Sequence, residues 1–226
     1  MKIGILQTGH SPDQIRPEMV DSPGMFETLL AGHGFDYEAW PVVDNIFPDG
    51  PEAADGWLIT GSRHSVYEEL KWLPPLEALV REIVASGRPL IGVCFGHQLI
   101  AKALGGTVEK YRGGWAVGRQ VYDFGDEKLA LNAWHQDQVT TPPEGAQVIA
   151  DNPFCANAGM VIGGNVFTVQ PHPEFNAAFL EALMSYRSGA VPPDLLDRAR
   201  ATLADPTDDI KMADRMAAFF RTGARQ

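Results

Sequence analysis

Residues 76–106, LEALVREIVASGRPLIGVCFGHQLIAKALGG, leave the chain little choice of fold. Leu76, Leu79, Val80, Ile83 and Val84 recur at helical spacing and predict one apolar helix face. Gly87 supplies a helix stop and Pro89 blocks continuation, so the apolar run PLIGV reads as a strand. A second helical pattern, GHQLIAKALGG, starts almost at once and closes on glycine. Upstream, KIGIL (2–6), DYEAWPVV (36–43) and GWLITGS (56–62) read as strands, and MFETLLAGHG (25–34) as a helix. Strands that alternate with helices predict a parallel sheet covered by helices.

The second half changes character. GRQVYDF, LALNAW, AQVIAD, GMVI and NVFTVQ are short strand candidates, and MVIGGNVFTV (160–169) predicts a hairpin around Gly163, Gly164 and Asn165. Helical patterns return at 176–189 and 208–222, with Pro192-Pro193 marking a loop before the C-terminal helices. The expected fold is therefore α/β in a single domain: a mostly parallel, twisted central sheet flanked by helices, with a small antiparallel section in the second half. A chain of 226 residues is long enough to bury a core without staples.

Charge narrows the partners. With 18 basic and 29 acidic residues the formal net charge is −11, a field that repels phosphate backbones and argues against nucleic-acid binding. No stretch approaches the roughly 18 apolar residues of a membrane helix, so no membrane partner is expected. Two cysteines make no disulfide framework, which fits a reducing, cytoplasmic setting. No Cys/His cluster has zinc-ligand spacing and no phosphate-binding GxxxxGK[ST] motif occurs, so neither a metal nor another cofactor is expected.

One of those cysteines, Cys94, lies where the strand PLIGV turns into the next helix. A thiol at a helix N-terminus is acidified by unpaired N–H groups and the helix dipole. Small neighbours such as Gly92 and Gly96 permit a sharp strand-to-helix corner, as in the G-x-S-x-G elbow of hydrolases. The N–H of Phe95 would then face a reacting carbonyl. Alone, this pattern also describes a core cysteine. A nucleophile needs a base, and VQPHPEF (169–175) places His172 just beyond a β-prone run, with Glu174 close enough to orient the ring.

GVCFGHQLIAKALGG followed by VQPHPEF resembles the class I glutamine amidotransferase domain, in which a cysteine elbow is paired with a downstream H-P-E segment. Here the histidine stands 78 positions after the cysteine, and LITGSRHSVYE (58–68), GGWAVG (113–118) and WHQDQV (134–139) lie in the family's order. The resemblance spans residues 56–175 and assigns the thiol a catalytic role. It implies a glutamine amidotransferase domain over 1–189 with a C-terminal helical extension, 190–226, packed on the same domain.

It also implies roles by position. Cys94 is the nucleophile, His172 the general base and acid, and Glu174 the residue orienting the histidine. The backbone N–H groups of Gly61 and Phe95 form the oxyanion hole. Gln98 contacts the bound glutamine, the backbone of Trp115, Ala116, Val117 and Gly118 holds its α-amino and α-carboxylate groups, His135 and Asp137 border the same pocket, and His97 supports the elbow. The implied activity is hydrolysis of the γ-amide of glutamine or of a γ-glutamyl compound through a thioester, either beside a separate synthetase subunit or free-standing. Two departures matter: the oxyanion loop reads Thr60-Gly61-Ser62-Arg63 where many ammonia-delivering members carry a Gly-Gly-Pro type, and no ammonia-using domain follows. Both features are similar to plant-type γ-glutamyl peptidases, a branch set beside the GMP synthase glutaminase domain. A catalytically silent regulatory module is the alternative from another functional class.

Overall fold

The computed structural model describes residues 1–15, 19–186, 189 and 191–223. The first half alternates strand and helix: β1 (Lys2–Leu6), α1 (Ser22–Leu29), β2 (Asp36–Trp40), β3 (Gly56–Ile59), α2 (Leu73–Ser86), β4 (Leu90–Val93) and α3 (Phe95–Ala103). The second half adds β5 (Thr107–Lys110), β6 (Ala116–Asp123), β7 (Lys128–His135), β8 (Asp137–Thr141), β9 (Ala146–Ala150), β10 (Gly159–Ile162) and β11 (Val166–Val169). It closes with α4 (Ala177–Tyr186), α5 (Pro193–Ala201) and α6 (Asp209–Thr222).

Seven strands form the central sheet in the order β2-β1-β3-β4-β11-β10-β9. The ladders from β2 through β11 are parallel, and β11-β10 and β10-β9 are antiparallel. The expected α/β class is thus observed, including the hairpin at Gly163, Gly164 and Asn165. Two small antiparallel pairs, β5-β8 and β6-β7, stand outside the sheet. β1, β3, β4 and β11 are almost wholly buried, which is why they read as continuous apolar runs and not as alternating ones.

Several predicted boundaries move. The stretch read as strand 36–43 ends at Trp40, because Pro41 breaks the ladder and Val42–Asp44 coil into a 3₁₀ turn. The first helix starts at Ser22, not at Met25, since Asp21 caps it by accepting from the Ser22 N–H and Pro23 fits its first turn. Of the helix predicted over 176–189, positions 187 and 188 lie outside the described residues, as do 190 and 224–226 of the expected extension.

The sheet carries a core on each face. Ile3, Ile91 and Phe167 meet Phe26 from α1 and Met212, Met216 and Phe220 from α6. Ile59, Leu90 and Val166 meet Leu76 and Val80 from α2 and Leu99 and Ile100 from α3. A third cluster gathers α4 and α5 around Trp134 and Val117, beyond the sheet's edge.

Candidate active site

Adjacent parallel strands end on the same edge, and three of them, β3, β4 and β11, deliver Gly61, Cys94 and His172 to one place. Cys94 follows β4 and caps α3, with φ 52° and ψ −102°. Its N–H is held by the Val169 carbonyl at 2.9 Å, which fixes it against β11. Gly92 and Gly96 have no left-handed φ; their role is close approach. A Cβ on Gly96 would sit 2.4 Å from the Ile59 oxygen, and one on Gly92 would meet the Gly96 backbone at 2.6 Å. The corner's strain therefore falls on Cys94 itself, while the glycines let α3 settle on the strand ends.

His172 is anchored by its N–H to the Asn132 carbonyl at 2.8 Å. Its side chain hydrogen-bonds Cys94, and its Nδ1 lies 2.7 Å from Oε1 of Glu174. All three residues are buried. Burial alone lowers the pKa of His172, but the negative charges of Glu174 and Cys94, with hydrogen bonds to both, raise it to about 10. The imidazole is therefore held protonated between Glu174 and Cys94. Phe175 stacks on the ring, centroids 3.9 Å apart and planes 7° from parallel.

Gly61 closes the site from the opposite side. A Cβ there would lie 2.6 Å from Cε1 of His172, so glycine is required by the imidazole and not by a turn angle. Thr8 pins this loop: its hydroxyl donates to the Gly61 carbonyl at 3.0 Å, and its own carbonyl accepts from the Ser62 hydroxyl at 2.7 Å. Among the described residues the N–H groups of Gly61 and Phe95 have no acceptor, leaving both open to a substrate oxygen.

Two cavities adjoin these residues. A small one of about 200 Å³ is lined by Cys94, Phe95, Gln98, Trp115 and His135, among others. A larger one of about 430 Å³ is lined by His172, Glu174 and Phe175, and both share Ser62, Arg63, His64 and Trp134. A family model for glutamine amidotransferase class-I matches residues 34–182. The chain belongs to that family.

Its relatives divide by length. Gamma-glutamyl peptidase 4 of Arabidopsis thaliana is 28% identical over 215 residues, covering 87% of this chain and 85% of the relative. The GMP synthase [glutamine-hydrolyzing] of Aromatoleum aromaticum is 34% identical over 139 residues, 54% of this chain but only 26% of that protein. The crystal structure of a glutamine amido transferase from Methylobacillus flagellatus superposes with a TM-score of 0.78 at 25% identity, covering 97% of this chain and 92% of the other.

In this member of the family the residues expected around glutamine separate. Gln98, Trp115 and His135 line the small cavity. Ala116, Val117 and Gly118 line neither cavity: Val117 packs with Trp134 and α4, and a Cβ on Gly118 would lie 2.6 Å from that of Ala199 in α5. Gln98 uses its amide nitrogen internally, donating to the Asp137 carbonyl at 2.8 Å and to Gln170 at 3.0 Å.

His135 Nδ1 faces the Asp137 carbonyl at 3.2 Å, so it carries the proton, and Nε2 remains a buried acceptor without a partner among the described residues. Burial, aided by the charge on His172 and opposed by the bond to Asp137, lowers the His135 pKa to about 4. His97, wholly buried and 2.8 Å from the Thr168 hydroxyl through Nδ1, is lowered by burial to about 3. It is a neutral support beneath the elbow.

Two neighbours of these groups escaped the sequence reading. Phe175 was in view only as the end of VQPHPEF; Thr8 gave no signal beyond a strand end. Asp137, expected with His135 to border the pocket, lines the small cavity, its carboxylate accepting from the Ser65 and Tyr67 hydroxyls. Among the described residues no group of His, Cys, Asp or Glu is arranged to hold a metal ion, and no helix is long and apolar enough to cross a membrane.

Proposed function

We propose that the protein hydrolyses γ-glutamyl amide bonds with Cys94 as nucleophile, His172 as proton carrier and Glu174 as the group that orients and charges it. The observation that carries this reading is the contact of Cys94 with His172, itself bonded to Glu174, at the carboxyl edge of the sheet in a class I glutamine amidotransferase. The thiolate attacks the γ-carbonyl, and the N–H groups of Phe95 and Gly61 receive the oxyanion. His172 gives its proton to the departing nitrogen as the C–N bond breaks, leaving a γ-glutamyl thioester.

Acylation removes the charge on Cys94, one of the causes that hold the His172 pKa high. The neutral imidazole then takes a proton from water, whose oxygen attacks the thioester and releases glutamate and the thiol. Gln98, Trp115 and His135 surround the γ-glutamyl group in the small cavity. A glutaminase serving a separate synthetase remains one form of this chemistry, with ammonia as leaving group. The match over 85% of a γ-glutamyl peptidase, against a quarter of a GMP synthase, favours hydrolysis of γ-glutamyl compounds.

The test is release of glutamate from glutamine and from γ-glutamyl peptides by purified protein, with Cys94→Ala as control. Turnover that vanishes in the variant, together with labelling of Cys94 by a glutamine-like diazo-ketone, is the expected result. A folded protein that neither releases glutamate nor takes the label is instead a silent module.

A further inference from the structure

The nucleophile and the proton carrier open to different spaces. Cys94 lines only the small cavity and His172 only the large one, and residues 62–64 with Trp134 border both. In the proposed reaction the acyl group bonds to sulfur, while the departing nitrogen takes its proton from the imidazole. The scissile bond must therefore cross from the small cavity into the large one, with the leaving group on the His172 side.

Ammonia fills about the volume of a water molecule, roughly 30 Å³. The space on the His172 side is about 430 Å³, within the range of sites that hold whole small molecules. Met25, Phe175, Phe179 and Leu183 give it an apolar wall, and Arg63 stands at its border with the small cavity. Among the described residues Arg63 makes no hydrogen bond or ion pair, only a longer-range attraction to Glu68. The nearby histidines differ: His10 pairs with Asp21 and Asp44, and His64 with Glu68.

Resting on the function proposed above, we infer that the large cavity is a leaving-group site for an α-amino acid or short peptide. Its side chain lies on the Phe179 and Leu183 wall and its carboxylate meets Arg63. The substrate is then a γ-glutamyl amino acid or peptide: the amide C–N bond breaks, the S–C bond forms, and the His172 proton passes to the α-amino nitrogen of the released amino acid.

Three substrates test this: glutamine, γ-glutamyl-phenylalanine and γ-glutamyl-phenethylamide, which keeps the ring and lacks the carboxylate. The wild-type protein is expected to cleave γ-glutamyl-phenylalanine with kcat/KM at least tenfold above glutamine. Leu183→Trp, which fills the cavity, should lower that ratio tenfold or more. Arg63→Gln, at an exposed position, should reduce cleavage of γ-glutamyl-phenylalanine about fivefold more than cleavage of the phenethylamide. Glutamine as the better substrate, with a ratio unmoved by either variant, overturns the site and leaves the cavity to ammonia or a docked synthetase. Equal losses on all three substrates in Arg63→Gln place Arg63 on the γ-glutamyl carboxylate and overturn its part. If none of the three is cleaved, the hydrolase reading itself has failed, and the site with it.

Discussion

At Cys94 the backbone takes φ 52° and ψ −102°, a conformation that glycine enters freely and a side-chain-bearing residue does not. Strain of this kind is about 1–3 kcal/mol, while glycine adds about 0.4–1 kcal/mol of unfolded-chain freedom. Cys94→Gly should therefore be more stable than Cys94→Ala by about 1 kcal/mol, although both are inactive. Denaturant midpoints check this, and equal midpoints would show that the elbow stores no strain. Gly61 makes the complementary case. In Gly61→Ala the new methyl group must displace the His172 ring, so kcat should fall by about 100-fold with little change in thermal midpoint. Steady-state kinetics beside a melting curve separates this displacement from unfolding. The identity of Gly61 was plain in the sequence, but its reason was not: a turn glycine and a glycine pressed on an imidazole look alike until the fold brings residue 172 across.

The elements explain why distant motifs cooperate. β3, β4 and β11 are neighbours and run parallel, so residues just past their ends share an edge. Apolar runs and the helical spacing of α2 made the strand–helix alternation legible. β8 was not legible, because DQVTT is short and polar and gains its strand form from pairing with β5 outside the main sheet. The C-terminal helices showed as amphipathic patterns, expected to pack on the same domain but with no partner face named. α6 inserts Met212, Met216 and Phe220 beneath the same face of the sheet as α1, making it part of the core. Phe220→Ala should accordingly cost about 3–5 kcal/mol, measured by chemical denaturation. A loss under 1 kcal/mol would mean that α6 is a removable cover.

Across the whole molecule, buried histidines set opposite limits on stability. His97 and His135 are held neutral, with pKa values near 3 and 4, while in the unfolded chain they titrate near 6.5. Below about pH 6.5 the unfolded state binds more protons at these rings, so their contribution is lost as pH falls toward 3. His172 has the reverse sign. With its pKa raised to about 10, its contribution is complete below about 6.5 and is lost as pH rises through 10. Thermal midpoints should therefore fall on both sides of near-neutral pH. Cys94→Ala removes one source of the elevated His172 pKa and should flatten the alkaline limb while leaving the acid limb intact. Equal flattening of both limbs would contradict this assignment.

By itself the sequence determined the α/β alternation, the elbow at Cys94 and the pairing of that elbow with His172 and Glu174. These are written in local periodicity, in glycine and proline stops, and in residue types that chemistry restricts. Tertiary structure alone decided which residues surround the reacting atoms. It sent Val117 and Gly118 into the α4–α5 cluster, laid Phe175 on the imidazole and divided the space beside the site into two unequal cavities. The large cavity draws its walls from the 9–14 loop, α1, the 61–64 loop, the H-P-E segment and α4, which are far apart in the chain. Local sequence patterns encode the elements; the volume enclosed between elements exists only once they have packed.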